Sequence, residues 1–145
     1  MQAIHQEQYI EIGIAAEMYA LKIYDIHEII RMQQITEIPN CREYVKGVIN
    51  LRGKIIPIIS LRSLFGLQEE PYTKMTRIVV VNHMEDTVGI VVDYVSKVTT
   101  FSDILPTPER VGGISGHYFV GIGVEGQSLV GILKLDRVLI KEQEG

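Results

Sequence analysis

The sequence predicts an all-β protein of two packed small barrels, each of about five short strands, with short helical segments between strands. Three observations predict it. Runs rich in Ile and Val either alternate with polar residues or are wholly apolar, the patterns of half-buried and fully buried strands. The order of these runs occurs twice along the chain. A chain of 145 residues is also long enough to bury roughly 68–70% of its unfolded surface without disulfide or metal support.

The elements follow in order. Tyr9-Ile-Glu-Ile-Gly-Ile alternates, Ala15-Ala-Glu-Met supplies a turn, and Tyr19-Ala-Leu-Lys-Ile alternates again, which predicts a hairpin. Asp25-Ile-His-Glu-Ile-Ile suits either a helical turn or a bent strand. Asn40 is placed to cap a short helix running through Val45, its side chain accepting from the first-turn amides. Gly47–Leu51 and Lys54–Leu61 read as strands joined at Arg52-Gly53. Pro57 has no N–H to donate, so its strand is expected at an edge or a bulge there. Ser63-Leu-Phe-Gly-Leu reads as a helical turn ended by Gly66. The polar stretch 68–74 is the candidate boundary, and 77–82 with 87–92 form a second hairpin.

A shift of 69 residues lays Ile10, Ile12, Leu21, Ile23, Ile26 and Ile29 on Val79, Val81, Ile90, Val92, Val95 and Val98. A shift of 74 lays Gly47, Ile55, Ile56, Ile59, Leu61 and Leu64 on Gly121, Leu129, Val130, Leu133, Leu135 and Val138. Nearly equal offsets in two separate blocks indicate an internal duplication. One domain spanning 1–145 is expected, with sub-barrels over about 8–70 and 74–140 and terminal strands free to cross between them. A five-stranded sheet curls to remove its exposed edges, and two such units pack because neither buries all its Ile and Val alone.

Cys41 is the sole cysteine, which excludes an intrachain disulfide and a cysteine-rich zinc site. No apolar run approaches the roughly 20 residues of a membrane helix, and the N-terminus lacks a signal-peptide pattern, so a cytoplasmic protein without membrane insertion is expected. The net charge of −4 argues against general nucleic-acid binding. Residues 1–41 carry six acids and two bases, and 63–145 carry eleven acids and seven bases. Between them Arg42, Lys46, Arg52, Lys54 and Arg62 face Glu43 alone, a net +4. Such a cluster is either a contact surface or a solvated face balanced by acidic neighbours.

No catalytic constellation emerges. His5, His27, His83 and His117 fall at no metal-ligand spacing, and no metal or other cofactor is implied. Gly112-Gly-Ile-Ser-Gly-His lacks the lysine and hydroxyl of a phosphate loop, and Ser115 misses nucleophile-elbow spacing by one residue. Asp25, Glu28, Asp93 and Asp103 form no defensible acid–base pair. A binding module is therefore expected rather than an enzyme.

Arg52 ends one apolar strand, and Gly53 permits a tight reversal into the next. An arginine at such a turn is either solvated or paired with a carboxylate, and Glu28 is the expected partner because it leaves the first hairpin at its polar end.

The string KGVINLRGKIIPIISLR (Lys46–Arg62) closely resembles the signature of the CheW family, the coupling proteins of bacterial chemotaxis. Tyr19–Ile29, Val88–Val98, Val120–Gly123 and Leu133–Leu139 resemble further family segments in order, so the resemblance runs from Tyr9 to Leu139, the last two as closing strands. Ser60 stands where the family usually has Asp, and Lys134 where an apolar residue or aspartate is common. The resemblance implies two SH3-like barrels and a non-enzymatic adaptor linking chemoreceptor cytoplasmic tips to the regulatory domain of the histidine kinase CheA, in arrays at the membrane. It places Ile26, Glu28, Asn50 and Arg52 at the receptor-facing groove, with Gly47 and Gly53 as structural glycines. Val88, Val91 and Val95 are the corresponding kinase-docking candidates. The alternatives are a CheW-like part of CheV or of CheA itself and, from another class, a small-barrel nucleic-acid binder stacking on aromatics.

Overall fold

The computed structural model describes residues 7–140, so His5 lies outside the described residues. The first half opens with the hairpin β1 (Tyr9–Ile14) and β2 (Glu17–Lys22), reversed at a left-handed Ala15. A single 3-10 turn leads into β3 (Ile26–Arg31), which resolves the helical-turn-or-strand ambiguity of that segment as one after the other. Then come β4 (Val45–Leu51), β5 (Lys54–Ser60) and α1 (Leu61–Leu64), with Gly66 left-handed just past the helix. The second half runs β6 (Arg77–His83), β7 (Asp86–Val92), β8 (Tyr94–Thr99), β9 (Asp103–Leu105), β10 (Arg110–Val111), β11 (Ile114–Ser115), β12 (Phe119–Glu125), β13 (Ser128–Leu133) and α2 (Leu135–Ile140).

Eleven of the strands form a six-stranded sheet in the order β8-β1-β2-β13-β12-β9 and a five-stranded sheet in the order β3-β6-β7-β5-β4, and β10 pairs with β11 as a separate short ribbon. The mostly β class with two packed units, expected from the sequence, holds. The duplication is visible in the elements themselves: β4 plus 74 coincides with β12, and β1, β2 and β3 plus 69 fall on β6, β7 and β8. Even the isolated bridge between Thr36 and Val48 has its counterpart in the pairing of Leu105 with Ile122.

The halves do not fold separately along 8–70 and 74–140. Each sheet takes its first hairpin from one half and its remaining strands from the other. Hairpin β1–β2 sits between β8 and β13, and hairpin β6–β7 sits between β3 and β5. What crosses is therefore a whole opening hairpin in each direction, not a terminal strand.

Side-chain alternation along these strands feeds three cores. Ile12, Ile14, Tyr19 and Leu21 from one sheet and Ile59, Val79, Val81 and Ile90 from the other build a core shared between the sheets, closed by Phe119, Leu135 and Val138. The opposite faces bury Ile49, Ile56, Ile58, Ile78 and Val80 inside the five-stranded sheet, and Tyr9, Ala20, Phe101, Val130 and Ile132 inside the six-stranded one. Strands buried on both faces read as continuous apolar runs, which is why 78–81 shows no alternation; in 55–59 the run is equally apolar, but Ile55 is exposed.

Two local expectations fail. No helix spans 40–45; Asn40 takes a left-handed conformation (φ 62°) in a turn, which its short polar side chain tolerates. The closing segment after Leu133 is a helix, not a strand, because Leu135, Val138 and Leu139 recur at helical spacing and all three are buried. Pro57 sits where β5 still has one free side: pairing with β7 begins only at Ile58, while β4 occupies the other side throughout.

Asp93, between β7 and β8, ties the two sheets together. Its carboxylate accepts from Arg62 Nε at 3.0 Å and Nη2 at 2.6 Å, and from the Ala15 amide at 2.8 Å. Its own amide donates to Gly13 O. Burial pushes the Asp93 carboxyl up, but the Arg62 hydrogen bond, the Ala15 amide and the Arg62 charge outweigh it and hold it below the ordinary aspartate value. A lowered carboxyl stabilises the folded state above its ordinary titration range, and that gain is lost as pH falls through the folded value. Asp93→Asn is expected to cost about 1.5–3 kcal/mol at neutral pH, since it leaves the partly buried Arg62 without its counter-charge. In urea titrations the gap between wild type and variant should stay level at neutral pH and close in acid.

Candidate functional site

The turn between β4 and β5 is a tight two-residue reversal in which both central residues are left-handed, Arg52 at φ 51° and Gly53 at φ 88°. That geometry matches the twist of the flanking strands, but it costs a non-glycine residue about 1–2 kcal/mol. Two contacts hold it. Asn50 Oδ1 accepts from the Gly53 amide at 2.8 Å, and Arg52 Nη2 pairs with Glu28 Oε2. β3 and β4 are the two edge strands of the five-stranded sheet, so the pair joins its opposite edges and the sheet curls to bring them together. The partner expected from sequence for Arg52 is thus the one it meets.

Glu28 reaches this position because β3 bulges. The register with β6 shifts between Ile26 and Glu28, leaving His27 as the extra residue. A bulge bends its strand and re-aims the next side chain. His27 Nε2 lies 3.6 Å from the same Glu28 oxygen. Ile26, before the bulge, is half-buried against the shared core. Of the four receptor-facing candidates, Glu28 and Arg52 touch, Asn50 shapes the turn that presents Arg52, and Ile26 anchors the strand that presents Glu28.

Gly47 lies at a second register shift, between β4 and β5, with φ 141°. A Cβ there would stand 2.1 Å from Thr36 O, so only glycine lets the 35–36 segment bridge to Val48. Gly53 has open space around it and serves the turn alone.

The kinase-docking candidates do not form a surface. Val88 and Val91 are buried, the first in the shared core and the second inside the five-stranded sheet. Val95 is half-buried against the shared core, and Val98 on the same strand is the exposed valine. Sequence alternation does not separate core valines from surface ones when both faces of a strand are covered.

Ser60, which replaces the usual aspartate, is buried and N-caps α1: its Oγ accepts from the Ser63 amide at 3.2 Å and donates to Glu69 Oε2 at 2.8 Å. Lys46 Nζ lies 3.3 Å from that same oxygen. The carboxylate missing at position 60 is supplied by Glu69, from the loop that reads as a simple linker.

Three further chemical candidates have structural partners. Ser115 caps a 3-10 turn through the His117 amide, His83 Nε2 lies 3.0 Å from Asp136 Oδ1, and Asp103 accepts from the Ile104 amide. Among the described residues no group of three or more His, Cys, Asp or Glu is placed to hold a metal ion. No described helix is long and apolar enough to cross a membrane.

Gly47→Ala is expected to lower stability by about 2–4 kcal/mol, from strain plus backbone clash. Gly66→Ala, left-handed but in open space, should cost only about 1 kcal/mol. Equilibrium urea unfolding of the two variants separates the contributions.

The CheW-like domain family model matches residues 8–143. The chain is 37% identical over 137 residues to the chemotaxis protein CheW of Helicobacter pylori, covering 93% of this chain and 82% of that one. It is 34% identical over 139 residues to CheW of Klebsiella aerogenes, covering 94% and 84%. The crystal structure of the scaffolding protein TtCheW from Thermoanaerobacter tengcongensis superposes with a TM-score of 0.84 at 34% identity, over 92% of this chain and 87% of that one. A family match over nearly the whole chain, with relatives of 34–37% identity covered over most of their own length, shows that the chain belongs to the CheW family of adaptor proteins.

Proposed function

We propose that this chain is a non-enzymatic adaptor acting in the cytoplasm, coupling chemoreceptor tips to the histidine kinase CheA. The observation that carries the receptor half of this reading is the Glu28–Arg52 pair, joining the edges of the five-stranded sheet, with half-buried Ile26 just before Glu28 on β3 and Ile29 exposed just after it. A receptor helix lays an apolar stripe against Ile26 and Ile29. Arg52, two-thirds exposed, fixes the polar rim, and Glu28 holds the arginine in the orientation the helix meets.

The kinase half rests on β8. Its regulatory partner domain docks on the apolar strip of Val95 and Val98, while Val88 and Val91 act from the core by fixing the strands beneath. The names of the relatives and the scaffold fold support this reading, and the described residues offer an ion pair and apolar strips where an enzyme would need a reactive group.

The test is a pair of binding measurements on Arg52→Glu, which places like charges at positions 28 and 52. Unfolding titrations first establish that the variant is folded. Affinity for an isolated receptor-tip fragment should fall at least tenfold, which is about 1.4 kcal/mol, while binding to the isolated kinase regulatory domain is retained. A folded variant that binds the receptor fragment normally overturns the site assignment. Wild-type protein that binds neither partner overturns the coupling function.

A further inference from the structure

Along β1, Ile10, Ile12 and Ile14 face the shared core, whereas Tyr9 and Glu11 face the small interior of the six-stranded sheet, beside Ala20, Phe101, Val130 and Ile132. Glu11 is 4% exposed, and its Oε2 is sealed from solvent with no hydrogen-bond donor. On β8, paired alongside β1, Thr99 and Lys97 both hold the carboxyl of Glu125 at the end of β12, which sets it beside Glu11. Two acceptors in such contact require a proton between them.

Among the described residues, the donors around the pair serve Glu125. Thr99 Oγ1 donates to Glu125 Oε2 at 2.6 Å, and Lys97 Nζ lies 3.1 Å from the same oxygen. Glu125 is therefore the anion and Glu11 holds the proton. Burial, then the contact with Glu125, raises Glu11 to about 7, with Lys97 opposing. The hydrogen bonds from Glu11 and Thr99 bring Glu125 to about 2. The other groups facing the pair are Tyr9 on β1, whose hydroxyl is raised by burial, and apolar residues of β2 and β13.

The chain contains its own control. Offset 69 lays Glu11 on Val80, and offset 74 lays Glu125 on Leu51. Both of those residues are buried together in the core of the five-stranded sheet. The same location in the duplicate unit is closed by an apolar pair, so the fold itself does not demand carboxyls there. A buried polar pair that an apolar pair can replace is weak support for stability.

We propose that Glu11 and Glu125 form a proton-held latch between β1–β8 and β12, the closing seam of the six-stranded sheet, which loosens when the proton leaves to solvent. Loss of that proton leaves two carboxylates in contact with Lys97 as the neighbouring cation. In the unfolded chain both carboxyls titrate at the ordinary value; folded, one proton is bound between about 2 and about 7. Stability then rises with pH below the ordinary glutamate value and falls with pH from there to about 7. The latch does not depend on the proposed coupling function.

The experiment compares wild type, Glu11→Gln and the double variant Glu11→Val/Glu125→Leu, which installs the duplicate unit's own solution. Carbon-detected NMR of the glutamate carboxyls should find one titrating close to neutrality in wild type and none there in Glu11→Gln. The wild-type urea midpoint should fall between about pH 5 and about pH 8, and amide exchange in β1, β8 and β12, corrected for intrinsic rates, should quicken about tenfold over that range. Both variants should lose this component, whatever the surface histidines contribute. If the double variant does not fold, Glu11→Gln still decides, because its amide donates to Glu125 at every pH. All glutamate carboxyls titrating below about pH 5.5, or an identical pH dependence in wild type and Glu11→Gln, overturns the latch.

Discussion

Both faces of each opening hairpin are apolar, and everything else in the fold answers to that constraint. β1–β2 sends Ile12, Ile14 and Leu21 to one side and Tyr9 and Ala20 to the other. β6–β7 sends Val79, Val81 and Ile90 one way and Ile78, Val80 and Val91 the other. Neither hairpin could lie at an outer surface. Exchanging them puts each at the centre of a sheet, with its inner face in a small interior and its outer face against the opposite sheet. The shared core is thus a product of the exchange, and the two sheets are mutually dependent rather than two domains in tandem. Asp93 stands at the crossing point, where a carboxylate reaches the β1–β2 turn and α1 together.

The exchange leaves each sheet with one problem, its two edges, and the duplicate units solve it with different chemistry. In the five-stranded sheet Glu28 on β3 meets Arg52 at the β4–β5 turn. In the six-stranded sheet position 28 plus 69 is Lys97 on β8, and it pairs with Glu125 at the head of the β12–β13 turn. The ion pair recurs at the same seam with its signs reversed. Behind it, one unit has Leu51 and Val80, the other Glu125 and Glu11. Cores and ladders have stayed parallel while the seams have diverged. Seams also offer polar groups held rigidly at a surface, and rigid placement is what recognition requires.

Much of this was legible in the chain. The two offsets, the hairpins and the Arg52–Glu28 pairing follow from apolar period, turn residues and charge. The exchange was not legible, because a strand apolar on both faces says that it is central without saying in which sheet. The same degeneracy left Val88 and Val91, which the family resemblance offers as docking candidates, indistinguishable from surface valines, and both are buried. Glu11 hid for the opposite reason. It sits at the polar phase of an alternating strand, the usual mark of a solvent face, yet that face lines an interior. Asn40 suited a helix cap equally well as a left-handed turn, and only the chain's path decided between them.

The two departures from the family motif show which polar positions are replaceable. Ser60 and Lys134 are separated by 74, so they are the same position in the two units, the last residue before α1 and before α2. At Ser60 the hydroxyl caps the helix, and Glu69 returns the missing carboxylate from outside. At Lys134 the backbone suffices: its amide donates to Tyr118 O, and its carbonyl accepts from Arg137 and Val138. A helix of one or two turns packed by Leu61 and Leu64, or by Leu135 and Val138, draws its stability from those buried side chains more than from its cap. The cap position is therefore free to vary, whereas Gly47, pressed against the Thr36 carbonyl, is not. Conformation constrains this motif more tightly than charge does, and the charges that remain at its turn are those held across a seam.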